Sequence, residues 1–401
     1  MKFGIDRLIE DRSLRAPLEG RRVALLAHPA STTSDLTHSL DALASLAGLQ
    51  LSAAFGPQHG LRGEKQDNMI ESGDFTDPSL GIPVFSLYGE VRRPTAAMMQ
   101  HFDVLLVDLQ DLGCRIYTFV TTLRYVLEEA ARHGKSVWVL DRPNPIGREI
   151  EGLRLTPGWE SFVGAGTLPM RHGLTLGELG QWFIAGLGLG LDYRVVTMTG
   201  WQPEAGPGYG WPLGERDWIN PSPNAPNLWM ARCYPGTVML EGTTLSEARG
   251  TTRPLEQFGA PGLDVAALLG EMRRLAPEWL GGCRLRPCWF EPTFHKHAGQ
   301  LCAGVQIHVE DAAYDPRAFR PWRLQALAFK ALRRLRPDYE LWRDFPYEYE
   351  HGRLAIDLIN GGEQLRTWVD DAQARPGDLD SAAKLDERSW EQERDEFLLY
   401  R

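Results

Sequence analysis

A chain of 401 residues is longer than one ordinary hydrophobic core supports, so two domains are expected. Its 43% hydrophobic and 24% charged content is that of a folded globular protein rather than a disordered one. The formal net charge of −10 and the pI near 5.6 argue against a nucleic-acid partner, whose phosphates call for clustered Lys and Arg.

Taken in order, Met1–Arg7 has no apolar core of a secretory leader, and no window is apolar for long enough to span a bilayer. A cytoplasmic protein without a membrane partner is therefore expected. Arg22–His28 is a short apolar run ending in turn formers, as in a buried parallel strand. Ser34 or Asp35 is placed to cap a helix with Leu36, Leu40 and Leu43 along one face. Strands follow at Leu51–Phe55, Pro83–Leu87, Val104–Asp108 and Ser136–Leu140, with helices at Thr95–His101 and Tyr117–His133. This alternation predicts an α/β fold with a Rossmann-like, doubly wound parallel sheet. Thr175 and Glu178 have the spacing of a capping box, which starts a helix carrying Trp182 and Phe183. The basic run at Arg333, Arg334 and Arg336 reads as a solvated helix face. Gly259–Gly262 reads as a linker, giving a site-bearing unit over 1–260 and a smaller α+β unit over 261–401 that closes a cleft. In the second unit Leu263–Arg274 and Leu324–Leu335 read as amphipathic helices and Val305–Val309 as a strand. The five cysteines, Cys114, Cys233, Cys283, Cys288 and Cys302, are thinly spread and fit reduced thiols.

The chemistry gathers where strands end. After Phe55, Gly56 and Pro57 stop regular structure and hand over to a polar loop with Gln58, His59, Arg62, Glu64, Asp67 and Asn68. Loops at the carboxyl ends of parallel strands line the ligand crevice of an open α/β sheet; the plain alternative is a solvated surface turn. Asp108 and Asp111 follow one strand, and Asp141, Arg142 and Asn144 follow another, with Pro143 and Pro145 stiffening the turn around the amide. His172 reads either as a ligand-facing residue or as a loop histidine. Asn224 closes a stretch dense in Trp, Pro and Gly, of a kind that stacks on and hydrogen-bonds sugars or forms a rigid loop. Glu241, Glu247 and Arg249 need partners if buried, which an ion-paired substrate pocket would supply. Neither G-x-G-x-x-G nor G-x-x-x-x-G-K-[ST] occurs, so no nucleotide cofactor is expected.

Gly56-Pro-Gln-His-Gly60 with Arg62-Gly-Glu64, Asp108-Leu-Gln-Asp111-Leu-Gly-Cys-Arg115-Ile-Tyr117, Asp141-Arg-Pro-Asn-Pro-Ile-Gly147, Tyr234-Pro-Gly and Glu241-Gly-Thr-Thr-Leu-Ser-Glu247-Ala-Arg249 together resemble the DUF1343 family. Its characterised members are exo-β-N-acetylmuramidases of the NamZ type, acting in peptidoglycan recycling. The resemblance runs from about Arg22 to Gln306 and implies a Rossmann-like domain with a smaller domain over the cleft. It also implies a glycosidase acting on a small muropeptide-derived amino sugar; no metal or other cofactor is expected.

One position departs from the pattern. Many members carry Glu where Gln58 stands, and an amide cannot exchange a proton as an acid. Glu64 is then the expected acid, with His59, Asp108 and Asp111 as further catalytic candidates. Arg62 or Arg142 is expected to pair with the lactyl carboxylate of a muramic acid, and Asn144 and Asn224 to bind hydroxyl or acetamide groups. Gln58, Asn68, Tyr117, Asp141, His172, Glu241 and Arg249 complete the expected substrate contacts. Two alternatives are a non-catalytic amino-sugar-binding protein, suggested by Gln58, and a metal-assisted hydrolase using His59, Asp108 and Asp111 or the pair His295 and His297 on a strand. The sequence sets no oligomeric state.

Overall fold

In the computed structural model, residues 1–63, 69–310 and 312–401 are described. Seven strands form the larger sheet: β1 (Arg22–Ala27), β2 (Gln50–Gly56), β3 (Phe75–Thr76), β4 (Pro83–Ser86), β5 (Val104–Asp108), β6 (Ser136–Leu140) and β7 (Tyr193–Val196), in the order β3-β4-β2-β1-β5-β6-β7. All neighbours are parallel except the short edge strand β3, which runs antiparallel to β4. The chain builds outward from β1 to β2 and β4, then crosses back to β5, so the direction of winding switches between β1 and β5.

The sequence dictates burial on both faces. Along β1, Ala24 and Leu26 point into one core with Phe55, Leu105 and Val107. Val23, Leu25 and Ala27 point into another with Ala54, Val104 and Leu106. Period-2 alternation with both sets apolar is what a strand covered on each side requires. Helix Phe119–Arg132 covers the first face through Phe119, Val120 and Leu123, while Ile5 and Leu8 of helix Gly4–Glu10 cover the second.

The helix expected from Ser34 or Asp35 starts later, at Ser39, with His38 as its N-cap. Leu36 has φ 68 and is half exposed, a left-handed backbone that cannot lie inside a helix. The expected capping box at Thr175 and Glu178 is formed and starts helix Leu176–Leu187.

The smaller sheet is antiparallel, with β8 (Gln257–Ala260), β9 (Arg284–Phe290) and β10 (Cys302–His308) in the order β8-β10-β9. Gly259 and Ala260, expected in a linker, are the last residues of β8, and they hydrogen-bond with β10. Helices Val265–Leu275 and Pro321–Leu335 pack beside this sheet and share the first core of the larger one. Arg115 ties the units together: its guanidinium, fully buried, donates to the carbonyls of Leu153, Leu168, Ile359 and Asn360. The last helix, Pro376–Arg394, returns to the larger sheet, where Trp390 Nε1 donates to His172 O at 2.8 Å. No helix among the described residues is long and apolar enough to cross a membrane.

Candidate active site

β2 ends at Gly56, where a side chain would sit 2.6 Å from the Leu61 nitrogen. The chain folds back at once: Gly60 N donates to Pro57 O, and His59 takes φ 73. This tight turn holds Gln58 and His59 over the carboxyl edge of the sheet, both buried. Just before helix Phe119–Arg132, the Thr118 hydroxyl donates to Gln58 Oε1 at 2.8 Å. The amide is thereby oriented, and its Nε2 donates to Glu348 Oε1 at 3.4 Å.

Glu348 comes from a turn of the C-terminal unit closed by a bridge between Tyr347 and Glu350. It and Tyr349 have φ 48 and 67, consecutive left-handed residues of the kind that costs about 1–3 kcal/mol each and persists where the surroundings over-determine it. Tyr88 OH donates to the second oxygen of Glu348 at 2.8 Å. Burial raises the Glu348 carboxyl, and the nearby charge of Glu241 adds to the rise. The hydrogen bonds from Tyr88 and Gln58 and the charge of Arg92 pull the other way, leaving it pushed up to about 7.

Glu241 lines the same cavity as Gln58, His59, Tyr117, Asn224 and Glu348. Its oxygens accept from Arg249 Nη2 at 2.6 Å and from Tyr347 OH at 2.7 Å. Behind it Arg249 Nε lies 3.2 Å from Glu247, which also meets Lys296 Nζ at 2.6 Å and His295 Nδ1 at 3.3 Å. Burial alone would raise the Glu247 carboxyl, yet Lys296, His295 and Arg249 hold it well below the usual carboxylate range. The ion pairs expected of Glu241, Glu247 and Arg249 are thus formed, and they anchor one carboxylate at the cavity wall. Tyr117 is buried at that wall, 6.0 Å ring to ring from Tyr234, with its hydroxyl beside Ser222.

The other strand-end residues are placed elsewhere. Asp108 is fully buried and grips Arg142 through two bonds, 2.6 and 3.0 Å, while Ser39 donates to it as well; Arg142 also donates to Thr32 O. Asp111 caps its own turn through Gly113 N at 2.7 Å and lies 3.5 Å from the buried His172. Asp141 accepts from Thr175, Gly177 and Tyr400; burial and the charge of Glu178 push its carboxyl up to about 7. Asn144 accepts from Ile146 N and donates to Leu174 O, an Asx turn that shapes the backbone. Arg62 is half exposed and pairs with Asp77 at 3.4 Å. Glu64, Asp67 and Asn68 lie outside the described residues. His295 and His297 are on a loop after β9 rather than on a strand, with φ 68 and 57, and their rings meet different partners, Glu247 and Thr244 O.

The structure therefore brings Gln58, His59, Tyr117, Asn224, Glu241 and Arg249 to one cavity and adds Glu348, Tyr347 and Thr118, with Tyr88 bonded to Glu348, all of which reading by strand ends passes over. The run Tyr347-Glu-Tyr-Glu350, aromatic and acidic residues alternating after Phe345-Pro346, was the available signal.

The model for the N-terminal part of exo-β-N-acetylmuramidase NamZ matches residues 23–229, and that for its C-terminal part matches 232–400. The chain belongs to the NamZ family. It is 39% identical over 312 residues to the peptidoglycan β-N-acetylmuramidase NamZ of Bacillus subtilis (strain 168), covering 78% of this chain and 73% of that protein. A solved DUF1343 family protein of Bacteroides fragilis NCTC 9343 superposes with a TM-score of 0.86 at 30% identity, covering 100% of this chain and 99% of the other. A second from the same organism gives 0.73 at 24% identity with the same coverage, a likeness of fold. The two NamZ models meet between residues 229 and 232, where helix Leu228–Thr237 begins.

Proposed function

We propose that this chain is an exo-acting β-N-acetylmuramidase of peptidoglycan recycling, working in the cytoplasm on small muropeptide-derived sugars. The second unit of the fold is taken to begin near residue 230 and to supply half of the site. The observation that carries the reading is Glu348: a carboxyl pushed up to about 7, in one cavity with Glu241, a carboxylate salt-bridged to Arg249. Glycoside cleavage needs that division of labour, one protonated group for the leaving oxygen and one charged group for the developing oxocarbenium ion.

Glu348 gives its proton to the glycosidic oxygen as the bond from that oxygen to C1 breaks. Glu241 stabilises the positive charge at C1, and water supplies the new hydroxyl while its other proton restores the Glu348 carboxyl. Gln58 takes no part in proton transfer; its amide, set by Thr118, orients Glu348. The Tyr117 hydroxyl and Asn224 bind hydroxyl or acetamide groups of the sugar, and His59 lines the same wall. The non-catalytic reading rested on an amide at position 58, and the hydrogen bond from Gln58 to Glu348 weakens it by putting a carboxyl within reach.

Release of nitrophenol from a para-nitrophenyl β-N-acetylmuraminide tests the proposal. Turnover by the wild-type chain is expected; sugar binding without turnover at any pH between 5 and 8 would sink it.

A further inference from the structure

A muramic acid differs from a glucosamine by a lactyl ether carrying a carboxylate, and a site that prefers it must present a cation. The arginines first expected to do so are committed elsewhere, Arg142 to the buried Asp108 and Arg62 to Asp77, and Arg249 is held by Glu241 and Glu247. Arg92 is placed differently. Its guanidinium lies 4.0 Å from the ring centre of Tyr88 and 4.8 Å from that of Tyr349. Tyr88 donates to Glu348, and Tyr349 is the next residue along the chain. The same two rings thus fix the cation relative to the proposed acid.

What the cation holds is itself a carboxylate. Arg92 Nη2 and the Tyr349 hydroxyl converge on one oxygen of Glu71, at 3.4 and 3.2 Å. Glu71 is half exposed, 51%, against 20% for Arg92. A half-exposed pair of this length contributes little, so a carboxylate from outside can take the place of Glu71. Arg92 meanwhile stays seated through Nη1, which donates to Gly89 O at 2.6 Å.

We propose that Arg92 and Tyr349, tied to the cavity residue Glu348 through Tyr88, form a carboxylate receptor that selects the lactyl carboxylate of a muramic sugar, with Glu71 as its internal stand-in. The inference rests on the muramidase reading for its ligand. Arg92 is a specificity-determining residue, not a catalytic one.

Two measurements test it. The first is the ratio of kcat/KM for the para-nitrophenyl β-N-acetylmuraminide to that for the β-N-acetylglucosaminide, in wild type and Arg92→Gln. Removing a charged hydrogen-bond donor should lower this ratio about tenfold or more, through KM for the muraminide. Any effect of Arg92 on Glu348 acts on both substrates and cancels. The second is calorimetric binding of free N-acetylmuramic acid and N-acetylglucosamine, which reads the receptor even if the chain turns over neither glycoside. Wild type should prefer the acid, Arg92→Gln should lose the preference, and Glu71→Gln should bind the acid severalfold more tightly. An unchanged preference in Arg92→Gln, or no gain in Glu71→Gln, would overturn the receptor.

Discussion

The carboxylates of this chain fall into two groups that look alike in sequence and differ in their surroundings. Asp108, Asp111 and Asp141 sit at strand ends of the parallel sheet, each already bonded to backbone or side-chain groups near it in the fold, with Tyr400 a further donor to Asp141. Glu241 and Glu348 sit where the two units meet, and Glu348 draws its partners from loops of the other unit. A buried carboxylate saturated by the fold is a structural part; one that lines a cavity and is left near neutrality has a proton to give.

The widest separation between the groups is expected from Glu348→Gln. An amide keeps the size and cannot donate the proton, so kcat/KM should fall by about 10²–10⁴ with the thermal midpoint little changed. Loss of stability without selective loss of turnover would move Glu348 into the structural group.

The converse variant is Asp108→Asn, which leaves Arg142 buried opposite an uncharged amide. Breaking one side of such a pair costs about 3–5 kcal/mol, read by urea unfolding, while kcat of the folded fraction stays near wild type. A drop in kcat as deep as that of Glu348→Gln would return Asp108 to the candidate catalysts.

The sheet was legible because its information is local. Apolar runs at Arg22–Ala27, Val104–Asp108 and Ser136–Leu140 can only be buried strands, and the residues that stop them sit beside them in the chain. Half of the cavity was legible for the same reason, through the turn after Phe55 and the Glu241–Arg249 segment. Glu348 was not, because its meaning comes from Gln58, 290 residues away, and from Tyr88, 260 away. Strand ends attract aspartate for capping as well as for catalysis, so position alone could not show that Asp108 serves Arg142 and Asp141 serves Thr175 and Gly177.

Glu348 and Asp141 share one property across the divide, a carboxyl pushed up to about 7. In both, the folded chain holds the proton more tightly than the unfolded chain. Their contribution to stability is therefore complete below the unfolded pKa, near 4, and is lost as pH rises through 7. Unfolding free energy should decline from pH 5 to 8, and Asp141→Asn should flatten part of that slope. Turnover should follow Glu348 alone, with kcat/KM falling up to tenfold per pH unit above 7. An alkaline limb that moves in Asp141→Asn while Glu348 is intact would show that the two carboxyls are not separable.

The smallest effect expected is at Tyr347, whose hydroxyl holds one oxygen of Glu241 while Arg249 holds the other. Tyr347→Phe removes a hydrogen bond to a charged group and nothing else, costing about 1.5–3 kcal/mol at most wherever Glu241 relies on it. If Glu241 acts in the ground state only as a wall anchor, that cost appears in unfolding. If it stabilises charge at C1, a carboxylate freed on one side is the stronger base and less well aimed, and kcat changes while KM for the sugar does not. A shift confined to stability would leave Glu348 as the one carboxyl of the cavity that belongs to the reaction.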